Sequence, residues 1–271
     1  MVRAVAGQNA RDVSDSILRT EDELLALGCE ELALPYARAL RDRRLPLIYD
    51  VNGIRDVRGT PAFSELADAF RWVTSRGGPR HCRLVSRDAD TIVHLDELLL
   101  PRGYGRQVCI SMALTRPVPD ISPPRGLRIV VANGDDDRLL DGIAHCQDLV
   151  RREELWYGPE VSRQMDAMAF RQMRLGGAEF LAATTRNGEV VASLLLWCRD
   201  DVGFIADVGT APAYRRRGVA SSLVAAAAAL ATERGCSVVG LTARRDDTPR
   251  RIYEALGFEP MGVSVDWLRS A

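Results

Sequence analysis

The sequence predicts an α+β protein built from two related halves, and three observations carry that prediction. From residue 126 onward the apolar patterning gives the element order β-α-α-β-β-β-α-β-α-β, which mixes hairpin-like strand runs with helices. Several residues of the first half recur 158 positions later, in the same order. Between the halves lies RPVPDISPPR, residues 116–125, whose four prolines make a stiff, extended linker. The expected division is a first unit at 1–115, a linker at 116–125 and a second unit at 126–271.

Taken in order, residues 12–44 read as largely helical. One helix begins around Asp15-Ser16-Ile17-Leu18 and stops at Gly28; another starts near Pro35 and runs through Ala39-Leu40. Residues 45–51 read as a strand with Pro46 at its start, and Asn52-Gly53 as the turn that follows. The pattern is helical again over 62–77, and here the repeat begins. Ala62, Thr74, Arg76 and Gly77 match Ala220, Thr232, Arg234 and Gly235. Arg87-Asp88 matches Arg245-Asp246, and Leu100-Pro101-Arg102-Gly103-Tyr104 resembles Glu254-Ala255-Leu256-Gly257-Phe258. Past the linker, a strand is expected at 126–131. Asp135-Asp136-Asp137 suits a solvated acidic turn, with a helix start as the other reading. Helices follow through Leu149 and over 161–175, then strands at 180–185 and 190–198 joined by Asn187-Gly188. Further strands are expected at 202–208, 237–242 and 262–268.

The stretch most loaded with chemistry is Asp207-Val208-Gly209-Thr210-Ala211-Pro212-Ala213-Tyr214-Arg215-Arg216-Arg217-Gly218-Val219-Ala220. Pro212 ends a strand, and a helix of small residues opens after Gly218. A helix start carries free N–H groups and the positive end of the dipole. Glycine lets a ligand come close, and arginines suit phosphate. The stretch therefore reads as a pyrophosphate cradle, or alternatively as a solvated basic turn. Arg215-x-x-Gly218-x-Ala220 resembles the [QR]-x-x-G-x-[GA] acetyl-CoA loop of the GNAT superfamily of N-acetyltransferases, and Thr210-Ala211-Pro212-Ala213-Tyr214-Arg215 is similar to that family's lead-in. A second motif runs from Asp246 to Phe258. It is similar to the family's N-x-x-A-x-x-x-Y-x-x-x-G-F at Tyr253, Gly257 and Phe258, and departs from it with Asp246 for Asn and Pro249 for Ala. Thr248 suits an N-cap there and Gly257 a helix stop. Tyr253 also fits a buried aromatic on a short amphipathic helix.

The resemblance implies a layered α/β/α fold around a mixed, mostly antiparallel sheet, in two tandem copies. It implies an N-acyltransferase that carries an acetyl group from acetyl-CoA to a primary amine by direct attack. Val208, Gly209 and Thr210 would hold the pantetheine arm and polarise the thioester carbonyl. Arg215, Arg216, Arg217, Gly218, Val219, Ala220 and Ser221 would hold the pyrophosphate, with Asp246 and Pro249 also on the cofactor side. Tyr253 would protonate the leaving thiolate, a group of pKa about 8.5 against about 10 for tyrosine. The base would be Asp207, Glu153, Glu154 or a water. Glu153, Glu154, Trp156 and Tyr157 would line the acceptor site, where aromatics beside carboxylates suit a cationic amine; a solvated helix end is the other reading of that segment. The first copy has lost these features. At the same offset Thr60 and Pro61 replace Gly218 and Val219, and Leu99 replaces the tyrosine, so its expected role is to cover a face of the second unit or wall its substrate cleft. A CoA-binding sensor or scaffold without turnover stays open as the alternative.

Composition narrows the classes further. The formal charge of -1 gives no global field for nucleic acid or an anionic membrane, and counts against an aminoacyl-tRNA partner. All 36 basic residues are arginine, so no lysine can act as a nucleophile. Six scattered cysteines without C-x-x-C suit reduced thiols in a cytoplasmic protein, and His81, His94 and His145 have no ligand spacing, so no metal is expected. No run approaches membrane-spanning length.

Overall fold

The computed structural model describes residues 8–75, 81–132, 134, 136–153, 158–246 and 249–270. In chain order the first half gives α1 (Ala10–Ala26), β1 (Glu30–Leu34), β2 (Ala37–Arg41), β3 (Gly53–Arg55), α2 (Phe63–Thr74), β4 (His81–Ser86), α3 (Ala89–Leu99) and β5 (Gly105–Leu114). The second gives β6 (Leu127–Ala132), α4 (Asp137–Arg151), α5 (Pro159–Gly176), β7 (Glu179–Thr185), β8 (Val190–Arg199), β9 (Val202–Thr210), α6 (Val219–Glu233), β10 (Val238–Arg244), α7 (Arg250–Leu256) and β11 (Phe258–Ser270).

The strands form one mixed, mostly antiparallel sheet in the order β1-β2-β3-β4-β11-β5-β10-β9-β8-β7-β6. Only β3 with β4 and β9 with β10 pair in parallel. The run β1 to β5, with α2 and α3, has the same plan as β7 to β11, with α6 and α7. Each run is a hairpin, a third strand, a helix, a parallel strand, a helix and a last strand. The last strands are exchanged: β11 lies between β4 and β5, and β5 lies between β10 and β11. The sheet thus passes unbroken from one half to the other through the β5–β11 pair, from Phe258 opposite Leu114 to Leu268 opposite Gly105. Local detail repeats too. Thr74 and Thr232 each donate a hydroxyl to the carbonyl four residues back, Phe70 at 2.8 Å and Ala228 at 2.9 Å. Gly103 and Gly257 each stop a helix in the left-handed region, with φ of 79° and 99°. Arg76 and Gly77 of the sequence repeat lie outside the described residues.

Helices cover both faces of the second half. α6 is apolar nearly all round and packs with Leu194, Leu196, Ile205 and Leu241 on one face. Its fit is close because Gly203 has no side chain; a Cβ there would lie 2.5 Å from that of Ala231. α4, α5 and α1 cover the other face, where Val13 and Ile17 of α1 join Ile143, Ala169 and Phe180. The first half therefore does cover a face of the second.

Four expectations need correction. Residues 30–41 are a β-hairpin, not the start of a second helix: Leu34 pairs with Ala37 around Pro35-Tyr36, and β3 extends the pairing. Residues 45–51 are not a strand. Successive turns run through them and end in a short 3-10 helix at Tyr49–Val51. Asn52 is no hairpin turn either: it is fully buried, accepts from Asp42 N, and donates to the carbonyls of Leu45 and Ile48, each at 2.8 Å. Finally, Asp136 caps α4 by accepting from Leu139 N at 3.0 Å, so the acidic run is a helix start.

Candidate functional site

β9 ends in a bulge. Its pairing with β8 shifts register between Ser193 and Leu195, and Asp207 adopts φ 51°, rare for a residue with a side chain. Gln147 on α4 holds this shape. Its Nε2 donates to Ser193 Oγ at 2.9 Å and to the Asp207 carbonyl at 2.7 Å. Gly209 is what lets it in, since a Cβ there would lie 2.9 Å from Gln147 Oε1. Neither Gln147 nor Ser193 was singled out by the sequence reading. The signal was present: Gln147 lies one turn from Ile143 on the buried stripe of α4, a polar residue at a core position.

Beyond the bulge the chain turns through a short 3-10 helix, Pro212–Tyr214, and enters α6 after Gly218, whose φ is 80°. No side chain caps α6, and no acid lies in its first turn. The N–H groups of its first residues thus have neither an intrahelical partner nor a side-chain cap. They border a cavity of about 880 Å³ lined by Val208, Gly209, Thr210, Gly218, Tyr253 and their neighbours.

The loop arginines divide their tasks. Arg215 turns back on the chain, donating to the Thr210 carbonyl at 3.0 Å and ion-pairing with Glu153. Arg216, at φ 59°, lines the cavity. Arg217 stacks over the Tyr214 ring at 5.3 Å. Arg215 also lines the cavity, and Tyr214, Val219, Ala220, Ser221, Pro249, Ile252, Val150 and Glu153 complete the wall. Asp246 is exposed and stands off it. Glu154, Trp156, Tyr157 and Thr248 lie outside the described residues; Pro249 itself is the N-cap of α7.

Two features of the cavity fit a phosphate-bearing, amide-bearing ligand. Among the described residues, Thr210 Oγ1 is buried without a hydrogen-bond partner. Around Gly218 a Cβ would meet nothing within 4 Å, so the approach to the helix start is open. Tyr253 is 7% exposed, borders the cavity and packs edge-on against Phe258 at 6.2 Å.

Asp207 is half-buried beside the cavity rather than in its wall. Burial raises its carboxyl above the ordinary range. Arg151 opposes this, and Asp50 and Asp166 add to it. Arg151 is itself buried, donating to the Ser162 carbonyl at 3.1 Å and to Asp166 at 2.6 Å. Asp50, which ion-pairs with Arg83, comes from the first half. Carboxylates from both halves thus act on Asp207, each of them ion-paired with an arginine. Among the described residues no group of His, Cys, Asp and Glu is placed to hold a metal, and no helix is long and apolar enough to cross a membrane.

The sequence matches the profile of the Acetyltransferase (GNAT) family over residues 146–258. No curated protein matches it. Among solved structures it is similar to a functionally unknown conserved protein from Staphylococcus epidermidis, with a TM-score of 0.70 at 15% identity over 90% of this chain and 95% of that one. It is similar to a GCN5-related N-acetyltransferase from Kribbella flavida, with a TM-score of 0.62 at 18% identity over 98% and 96% of the two chains. A tandem GNAT protein from the clavulanic acid biosynthesis pathway gives a TM-score of 0.55 at 15% identity over 96% of each chain. The fold is that of the GNAT superfamily, in an arrangement consistent with duplicated lobes.

Proposed function

We propose that this protein is an acyl-CoA-dependent N-acyltransferase that moves an acetyl group from acetyl-CoA to a primary amine of a small molecule. Residues 126–271 would be the catalytic unit, joined through 116–125 to a degenerate copy at 1–115. The observation that carries the reading is the cavity itself, where an uncapped helix start, the orphan hydroxyl of Thr210 and Tyr253 share one wall.

Each residue then has a task. The N–H groups at Val219, Ala220 and Ser221, with Arg216, would bind the pyrophosphate. Val208, Gly209 and Thr210 would hold the pantetheine arm. The bulge at Asp207 breaks the β8–β9 register, and the backbone groups it frees from the ladder would serve the thioester oxygen. Arg215 would shape the loop through Thr210 and Glu153 rather than contact phosphate. Tyr253 would give its proton to the departing thiolate. Asp207, whose carboxyl is raised by burial, would take the proton from the attacking amine.

The test is direct. Purified protein is given acetyl-CoA and a panel of amines, and free thiol release is followed together with the mass of each amine. A gain of one acetyl group on an amine, matched by released CoA, is the expected result. Tight CoA binding with no acetylation of any amine in the panel would favour the sensor or scaffold reading.

A further inference from the structure

Two cysteines that the acyl-transfer reading does not use lie at the opposite end of the β8–β9 hairpin. Cys198 is near the end of β8 and packs on the α6 side of the sheet with Leu196 and Leu194, two and four residues before it. Its cross-strand partner on β9 is Gly203. Cys236, just past α6, fills the space over that glycine: a Cβ built on Gly203 would lie 3.6 Å from Cys236 Sγ and 3.7 Å from its Cβ. Paired cross-strand residues have Cβ positions about 4.5–5.5 Å apart, so the Cys198 side chain lies next to Cys236 across the glycine.

The surroundings give the two sulfurs different characters. Arg234, ion-paired with Glu179, lies where its charge favours the Cys198 thiolate. Cys198 is half-buried and Cys236 is buried. The neighbouring Cys236 thiol brings the Cys198 thiol down to about 7, against burial and with help from Arg234. The same contact, together with burial and Asp201, pushes Cys236 up. Burial drives Cys109 and Cys146 up to about 12 and about 11. One accessible thiolate thus stands against a protonated neighbour, the pairing that suits an attacking and a resolving cysteine. Seven residues of strand separate Gly203 from Thr210, roughly 23 Å, so this place is distinct from the candidate acyl-transfer site.

We propose that Cys198 and Cys236 form a peroxide-reactive dithiol that closes to a disulfide. The Cys198 thiolate attacks one oxygen of a hydroperoxide; the O–O bond breaks, and the leaving oxygen takes up a proton. The sulfur of Cys236 then displaces hydroxide from the Cys198 sulfenic acid, and its proton leaves with that hydroxide as water. With hydrogen peroxide, two thiols and one peroxide give one disulfide and two waters. The sulfurs supply the two electrons.

The reduced, full-length protein is treated with one equivalent of hydrogen peroxide at pH 7 and mapped by intact and peptide mass spectrometry. The expected product has lost two hydrogens, links the peptides bearing Cys198 and Cys236, and reverts with dithiothreitol. Before peroxide, Cys198 should alkylate with iodoacetamide at least about tenfold faster than Cys109 or Cys146. In Cys236→Ser, dimedone should trap a sulfenic acid on Cys198 with no cross-link. Oxidation of other cysteines while Cys198 and Cys236 stay reduced, or alkylation of Cys198 no faster than Cys109, would overturn the proposal. Both of these measurements use the wild-type chain.

Discussion

Each half has an aspartate in the left-handed region near the end of a strand, Asp56 just past β3 at φ 52° and Asp207 in the bulge of β9 at φ 51°, and a helix follows. What comes between differs. Val219 follows Asp207 by twelve positions, and Phe63 follows Asp56 by only seven, so the first half lacks the arginine loop altogether. Its helix start is also filled from within. Glu65, in the first turn of α2, accepts from Ala62 N at 2.7 Å, placing a carboxylate where α6 presents none. The second motif diverges in the same way: Leu99, fully buried, stands where the other half has Tyr253. Beside Asp56 the space shrinks to about 40 Å³ among Glu21, Asp22, Arg55, Arg83 and Arg87. Arg55 pairs with Asp22, and Arg87 with Asp56 at 2.9 Å. A wider cavity of about 420 Å³ near the start of α3 mixes Arg11, Arg58 and Arg87 with Asp15, Asp88 and Asp90, and no residue of α2 borders it. The same backbone device thus stands beside a wide cavity in one half and an ionic core in the other. Loop length and the charge at the helix start separate the two.

That contrast can be broken at its chemical end first. Tyr253→Phe keeps the ring and its packing on Phe258 but removes the proton. Turnover should fall by roughly 10²–10⁴, with CoA affinity within a few-fold and stability changed by no more than about 1 kcal/mol. Steady-state kinetics and thermal melts on one preparation check this, and wild-type turnover would end the general-acid role.

The next substitution moves a feature of the first half into the second. Ser221 holds in α6 the position that Glu65 holds in α2. Ser221→Glu should cap α6, leave the melting temperature unchanged or slightly raised, and weaken CoA binding by about 100-fold through charge repulsion at the pyrophosphate. Unchanged affinity by calorimetry would show that the helix start does not hold the phosphates.

A smaller effect probes the ionic core. Glu21 accepts from Thr242 Oγ1 at 2.9 Å, and burial raises its carboxyl from 4.5 to about 7, with Arg55 opposing and Asp22 and Asp266 reinforcing. The folded state therefore holds this proton more tightly than the unfolded chain. Its contribution is complete below about pH 4.5 and is lost as pH rises through about 7. Denaturant melts between those limits should show that loss, and Glu21→Gln should flatten it.

Local chemistry explains how much could be read from the sequence alone. The strand, basic turn and helix around Gly218, the Asn187-Gly188 hairpin and the stop at Gly257 were legible because each depends on its own few residues. The repeat was legible at the helix end, where Thr74 and Thr232 keep one bond and one offset. At the helix start that offset fails. The first copy loses its cradle through a shorter loop and Glu65, not through Pro61 in place of Val219. Residues 30–41 are rich in Glu, Leu, Ala and Arg, which favour helix in isolation; pairing with β3 and the sheet overrides that preference. Residues 45–51 are apolar enough for a strand, but the Asn52 amide folds them into turns. The exchange of β5 and β11 joins residues some 150 positions apart, and no local pattern encodes it.

The most direct test of the contrast between the halves is the stoichiometry of CoA binding, measured by isothermal titration calorimetry on the full chain. One open helix start and one sealed by its own carboxylate predict one CoA per chain, with binding weakened about 100-fold by Ser221→Glu and untouched by Glu65→Gln. Two CoA per chain, or a single site that survives Ser221→Glu and is lost with Glu65→Gln, would contradict the account.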